Sequence, residues 1–301
     1  MTDQELRELR REKWRLNGHP IRTLNDARAF LESVGFCQMY PLRPSALLPT
    51  FVGAWSGSDD NLPTWQKAFK DPRAQEATEV MVRLLREHYA YEANLFDENN
   101  AFLIAASIFP YFYALVGERN PKQPPKPGTE YSQLACDTYA AIQRGGPISR
   151  QRLMETLGGG VSTAGLDKSL AELWSKLRIT RVDYNPGEGA FWDTLYRWAP
   201  DAVREGIELS MGEALSALLS KYLDCVVAAD AQEVENFLGN FVPRSRVKDA
   251  VNALLAAREL EFVRVGSRTL LRMTPPKEAS PVRHPQRKTE EKRKQDDRPQ
   301  Q

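Results

Sequence analysis

The sequence predicts a mainly α-helical α+β protein in which small β-hairpins close groups of helices, and three observations predict it. Apolar residues recur at intervals of three and four along most of the chain, the spacing of amphipathic helices. Two short pairs of extended runs are separated by turn-forming residues, Asn185 to Gly189 in one and Gly266-Ser267 in the other. The 301 residues, 42% of them apolar with a mean hydropathy of -0.51, are enough for two or three domains and too many for one small core.

Asp3 to Asn17 sets Leu6, Leu9, Lys13 and Leu16 at helical spacing among many charges, so residues 1–19 read as an amphipathic arm stopped by Gly18-His19-Pro20. Thr23 and Asp26 make the start of the next helix, Ala27, Phe30, Leu31 and Val34 its apolar stripe, and Gly35 its C-cap. Pro41 to Pro63 is rich in Pro, Gly and Ser and is expected to be irregular and exposed. Pro72 opens a helix that carries Val80, Leu84, Leu85 and His88 on one face through Tyr89, which makes His88 a core histidine. Phe102 to Ile104 reads as a short strand and Ile108 to Leu115 as a buried helix. The proline run from Pro121 to Gly128 is an extended linker.

One plan is then used twice. Helices through Ala135 and Tyr139, through Leu153 and Leu157, and through Leu166, Leu170 and Leu173 precede the alternating Ile179 to Tyr184 and its return through Ala190-Phe191-Trp192. The second copy has Leu215, Leu218 and Tyr222 on one helix, Val234, Phe237 and Leu238 on another and Val247, Val251 and Leu254 on a third, followed by the strands Glu261–Val265 and Arg268–Arg272. Three helices closed by a hairpin is the winged-helix plan, whose third helix is built to enter a major groove. The organisation expected is an arm (1–19), a winged-helix-like domain (20–120), a linker (121–128), two winged-helix domains (129–200 and 201–273) and a charged, disordered tail (274–301).

Charge and composition exclude several classes. No window has the roughly 18 to 20 consecutive apolar residues of a membrane span, and the first fifteen residues lack a secretory core, so no membrane partner and a cytoplasmic location are expected. The three Cys and three His are scattered, which supports no disulfide framework, no metal site and no cofactor. With 41 basic against 40 acidic residues, a nucleic-acid partner has to be held by a local patch. Glu130 to Pro200 carries eight of each sign and reads as scaffold. The last copy is the better candidate for duplex DNA: Arg244, Arg246, Lys248 and Asn252 lie on its third helix, and Arg264, Arg268 and Arg272 along its hairpin. Trp55 and Trp65, in the loop rich in Pro and Ser, are the candidates for stacking on a base.

Several strings in this order carry a family resemblance: Ala29 to Cys37, the proline-bearing loop, Pro110 to Leu115, and Leu170-Ala171-Glu172-Leu173 before the wing. Over Pro20 to Met273 the chain resembles the crosslink-repair DNA glycosylase family (AlkZ/YcaQ), and most of all its AlkZ-related side branch. The resemblance implies three tandem winged-helix-type domains and an active site at a Gln-Φ-Gln or Gln-Φ-Asp motif, with Φ apolar, whose polar side chains hold the water that attacks the anomeric carbon. The matching triplet is Gln38-Met39-Tyr40: Gln38 keeps the first position, and Tyr40 departs from the pattern at the second. A phenol with an ordinary pKa of about 10 does not replace a carboxylate as base at neutral pH. Glu92, in the cluster of His88, Tyr89, Tyr91 and Asn94, is the carboxylate to weigh as base or as stabiliser of a cationic sugar, against its bland placement at a solvated helix end.

Two functional readings follow. One is a monomeric winged-helix protein of DNA-repair type that binds duplex DNA, damaged or intact, and resembles glycosylases that release alkylated or crosslinked purines. The other is a catalytically inactive winged-helix regulator or protein-interaction module.

Overall fold

The computed structural model describes residues 1–41, 47–64, 70–96, 102–185 and 187–275. Trp65 and the tail beyond Pro275 lie outside the described residues. Helix α1 (Asp3–Lys13) starts on the reciprocal cap of Thr2 and Glu5, and α2 (Leu24–Val34) on that of Thr23 and Asp26; Gly35, at φ +80°, ends α2. Strand β1 (Phe36–Gln38), α3 (Phe51–Ser56), α4 (Pro72–Arg86), β2 (Ala90–Ala93), β3 (Phe102–Ala105) and α5 (Phe109–Val116) complete the first unit. Next come α6 (Gln133–Gly145), β4 (Ile148–Ser149), α7 (Arg150–Leu157), α8 (Thr163–Trp174), β5 (Ile179–Asn185) and β6 (Gly189–Thr194). After α9 (Leu195–Trp198) and α10 (Pro200–Glu208), the chain ends its described part with α11 (Met211–Val226), α12 (Ala231–Leu238), α13 (Arg244–Ala256), β7 (Leu260–Val265) and β8 (Arg268–Met273).

The same winged-helix plan occurs three times: helix, short strand, helix, helix, hairpin. In each sheet the short strand lies beside the second hairpin strand, giving the orders β1-β3-β2 and β4-β6-β5. The third unit reduces the short strand to a bridge between Ala229 and Leu271 of β8. Local chemistry explains most of these elements: Ser132, Ser149, Ser162, Ser210 and Asp230 cap the helices that follow them, each side chain accepting a backbone N–H.

Several sequence expectations need correction. The stretch 41–63 is not simply irregular: Thr50 caps α3, whose residues from Phe51 to Trp55 are buried. Helix α4 ends at Arg86 and the chain reverses through His88 at φ +57°, so His88 is an exposed residue stacked on Trp198 at 4.4 Å instead of a core histidine. The residues after it form β2, and Glu92 is therefore in a sheet and not at a solvated helix end. Strand β1 and helix α10 were not anticipated.

Packing divides the described residues unevenly. The first and third units share one hydrophobic core, in which Phe237 of α12 stacks on Phe36 of β1 at 5.2 Å and on Tyr222 of α11 at 4.4 Å. The middle unit has its own core around Tyr139, Leu166, Leu170, Leu173 and Trp192. Helix α1 crosses to the third unit: Leu6 is buried with Ala228, Val265 and Leu270, Arg10 donates to the carbonyls of Val226 and Ala228, and Trp14 donates to that of Cys225. Among the described residues no helix is long and apolar enough to cross a membrane.

Candidate nucleic-acid interface and buried polar site

Gln38 ends β1, between a bridge to Thr50 and its partner Phe102 on β3. That row continues to Ala93 of β2, whereas Glu92 belongs to the next row, with Leu103 and Cys37. Neighbouring rows of a sheet point to opposite faces. The Gln38 and Glu92 side chains therefore leave the sheet on different sides. Gln38 is 3% exposed, and its Nε2 has no hydrogen-bond partner among the described residues. Tyr40 lies past the end of β1, half-buried, its hydroxyl 3.1 Å from that of Thr78 on α4. Burial pushes the Tyr40 phenol above its ordinary value; the bond to Thr78 opposes this, while the nearby charges of Glu92 and Arg181 act in opposite directions.

Glu92 is fully buried, and its charge is met by a residue of the middle unit. Arg181 of β5 places Nε 3.0 Å from Glu92 Oε2, and its guanidinium lies over the ring of Trp174 at 4.7 Å and near that of Trp192 at 5.7 Å. The Glu92 carbonyl accepts the indole N–H of Trp174 and the hydroxyl of Thr180. Desolvation raises the Glu92 carboxyl above its ordinary value of 4.5, and Arg181 pulls it back. Among the described residues neither carboxylate oxygen is in a hydrogen bond, and Oδ1 of Asn94 is likewise buried without one. The three residues expected to share catalysis are thus divided: Tyr40 lies within electrostatic reach of Glu92 and Arg181, and Gln38 faces the other side. Arg181, Trp174 and Thr180 were not foreseen as part of this site, because they lie some eighty to ninety positions away in sequence.

Trp55 does not offer a stacking face. It is 7% exposed in the shared core, and its Nε1 donates to Glu76 at 3.1 Å, which corrects the expectation of an exposed loop tryptophan.

In the third unit, Arg244, Arg246, Lys248 and Asn252 are exposed on α13, and Arg264 and Arg268 on the hairpin. Their charges are not equally available. Lys248 is 3.7 Å from Glu235, Arg272 pairs with Glu261 at 2.6 Å, and Arg268 pairs with Asp3 of the arm at 2.9 Å. Arg264 shares a face of the ribbon with Phe262, Leu271 and Thr269, the face toward the shared core. Arg268 and Arg272 share the opposite face with Val265 and Leu270, against which the arm packs. Arg264 is therefore on the opposite face of the ribbon from Arg268 and Arg272. Phe262, 63% exposed, is the most exposed large apolar side chain of the hairpin. Among the described residues no group of three or more His, Cys, Asp and Glu is arranged to hold a metal ion.

The family model of the DNA glycosylase AlkZ-like proteins matches residues 82–293. The matched stretch includes Glu92, Arg181 and the whole third unit, and starts after the Gln38-Met39-Tyr40 triplet. Among solved structures, Streptomyces sahachiroi DNA glycosylase AlkZ superposes with a TM-score of 0.58 at 13% identity, covering 91% of this chain and 70% of that one. At that identity the likeness is one of fold. A search of curated proteins gives no match.

Proposed function

The chain belongs to the AlkZ-like DNA glycosylase family, and from that premise we propose that it is a repair-type protein that binds duplex DNA through its third winged-helix unit. One observation carries the reading: Arg244 and Arg246 on the third helix and Arg264 on the wing are exposed cations without an acidic partner among the described residues, on the two elements that a winged helix brings to a duplex. Asn252 on the same helix is a type that pairs with an adenine edge. The domain limits read from the sequence (20–120, 129–200 and 201–273) are part of this proposal, as are a monomeric state and a cytoplasmic location.

The chemistry at the first unit favours recognition over excision. Releasing a purine by hydrolysis requires a positioned water and a group to take its proton. Tyr40 stands at the motif's second position with its phenol pushed further from ionisation, and the Glu92 charge is spent on Arg181. A second reading, a monofunctional glycosylase with Gln38 orienting the water, is favoured by one observation, the buried Gln38 Nε2 that no group among the described residues satisfies.

One pair of assays separates them. Duplex binding by fluorescence anisotropy should weaken with rising salt, by a slope of about 0.9 per phosphate contact. Base release from alkylated or crosslinked duplex should be at background for both the wild type and Gln38→Ala. Release by the wild type that Gln38→Ala abolishes establishes the enzyme reading. A wild type that binds no duplex at any salt removes the DNA reading and leaves a protein partner as the better idea.

A further inference from the structure

Where the connection between α1 and α2 crosses the C-terminal end of α3, it forms an open recess of about 430 Å³ walled by Arg15, His19, Arg22 and Asp26. The wall is preformed. Backbone bonds run from Ile21 to the carbonyl of Ala54 and from Gly18 to that of Gly57, and Arg22 Nη1 donates to the carbonyl of Trp55. Gly57, at φ +69°, lets Pro20 approach to within 3.1 Å of where a Cβ would stand, so this crossing is built for one backbone arrangement.

The charges of the recess are unequal in availability. Arg15 and His19 are exposed, and their side chains make no hydrogen bond or ion pair among the described residues. Arg22 spends one nitrogen on Trp55 and keeps its remaining donors. Asp26 is the one acid in the wall, and its carboxylate is engaged: Oδ2 accepts the N–H of Thr23 at 3.0 Å and of Arg22 at 3.2 Å. The bonds with Thr23 and Arg22, helped by the Arg15 charge, hold that carboxyl below its ordinary value. Two guanidinium groups thus face one occupied carboxylate.

We propose that this recess binds a phosphate group, and specifically a phosphodiester of the DNA backbone, as a second anchor remote in sequence from α13. Guanidinium forks match the oxygens of phosphate, and an imidazole adds a donor. An opening with one net positive charge suits the single negative charge of a phosphodiester better than the two of a free phosphate. The proposal rests on the duplex-binding reading above and extends it to the first unit.

The test is the double substitution Arg15→Gln/His19→Gln, two exposed side chains that support no packing, with Arg15→Glu as a second variant. If the recess holds a backbone phosphate, duplex affinity falls about three- to tenfold at low salt and the salt slope drops by about one, with a larger loss for Arg15→Glu. Unchanged affinity and slope in both variants, with a wild type that binds, overturn the recess and leave the third-unit surface standing. Should the wild type bind no duplex, titration with inorganic phosphate decides: shifts of the Arg15 and His19 NMR signals, lost in the double variant, support a free-phosphate site, and their absence overturns the proposal.

Discussion

The second and third winged-helix units share one topology and use their arginines in opposite ways. In the middle unit, Arg150 forks onto Asp167, Arg152 lies near Glu188, Arg197 pairs with Asp193, and both Arg178 and Arg181 reach out of the unit to Glu118 and Glu92. In the third unit Arg244, Arg246 and Arg264 meet no acid among the described residues. Three of these pairs are internal to the middle unit, and two, Arg178–Glu118 and Arg181–Glu92, fix it against the first; Arg178 is also stacked over Tyr139 of α6 and bonded to the Gln123 carbonyl of the linker. The third unit is fixed to the first by an apolar core instead, which leaves its cations for a partner. The middle unit is thus joined to the first by ion pairs and the third by aromatic packing, although Arg144, Lys168 and Lys176 of the middle unit likewise meet no acid among the described residues.

The largest effect should come from breaking the apolar joint. Phe237→Ala removes a ring stacked between Phe36 and Tyr222 and should cost about 3 to 5 kcal/mol. Because the core is continuous, hydrogen exchange should accelerate in the first and third units together and least in α6 and α8. Equal acceleration in the middle unit would show that the two cores unfold as one.

The ionic joint should give a smaller and pH-dependent response. Arg181→Ala leaves the Glu92 carboxylate buried beside no cation and should cost about 2 to 4 kcal/mol, less than the full price of a buried pair because Arg181 is partly exposed. The double variant with Glu92→Gln should recover part of that loss. For Glu92 itself the folded-state pKa lies above the unfolded value, so the wild type loses stability as pH rises from about the ordinary 4.5 through the folded value. Glu92→Gln is free of that loss. Its thermal midpoint relative to wild type should accordingly climb with pH in this window, and a flat difference would mean that Arg181 fully offsets desolvation.

How far these joints could be read in advance differs between them. The three winged-helix helices of the middle unit and those of the third announce themselves by local means, through Ser and Asp caps, apolar stripes and the Gly266-Ser267 turn, whereas α9 and α10 between them carry no such cap. Strands β1 and β2 carry no such signal. The three residues after Gly35 and the four after Tyr89 look like helix ends, and they become strands because β3 pairs with both. The same reason hid the setting of Glu92, whose counter-charge and covering rings lie on α8 and β5. The burial of Trp55 has no local signal, because a short helix inside a Pro- and Ser-rich stretch is set by what packs on it. The basic residues of α13 and the hairpin were legible as a group, but which of them are neutralised depends on the arm, 265 positions away for Arg268.

At the proposed DNA surface, Arg246→Ala and Arg264→Ala should each weaken duplex binding by about 1 kcal/mol and lower the salt slope by about one. Lys168→Ala and Lys176→Ala on the middle unit should leave both unchanged. An equal loss from both pairs would erase the distinction between scaffold and reader.

The smallest effect concerns the clasp between the arm and the wing. Asp3 of α1 reaches the two-residue turn, where Gly266 at φ +57° has no Cβ; one built there would stand 2.4 Å from Asp3 Oδ2. The carboxylate thus reaches Arg268 at 2.9 Å, with both side chains about half exposed. Such a pair contributes roughly 0 to 1 kcal/mol to stability, little enough for a phosphate to compete with it. If the wing approaches DNA on this side too, Asp3→Asn should leave the thermal midpoint nearly unchanged and tighten duplex binding about two- to fivefold at low salt, raising the salt slope by about one as Arg268 is released. Arg268→Ala should abolish that gain in the double variant. A gain that persists without Arg268 would trace to long-range charge, and no gain at all would confine the DNA surface to α13 and the Arg264 face of the ribbon.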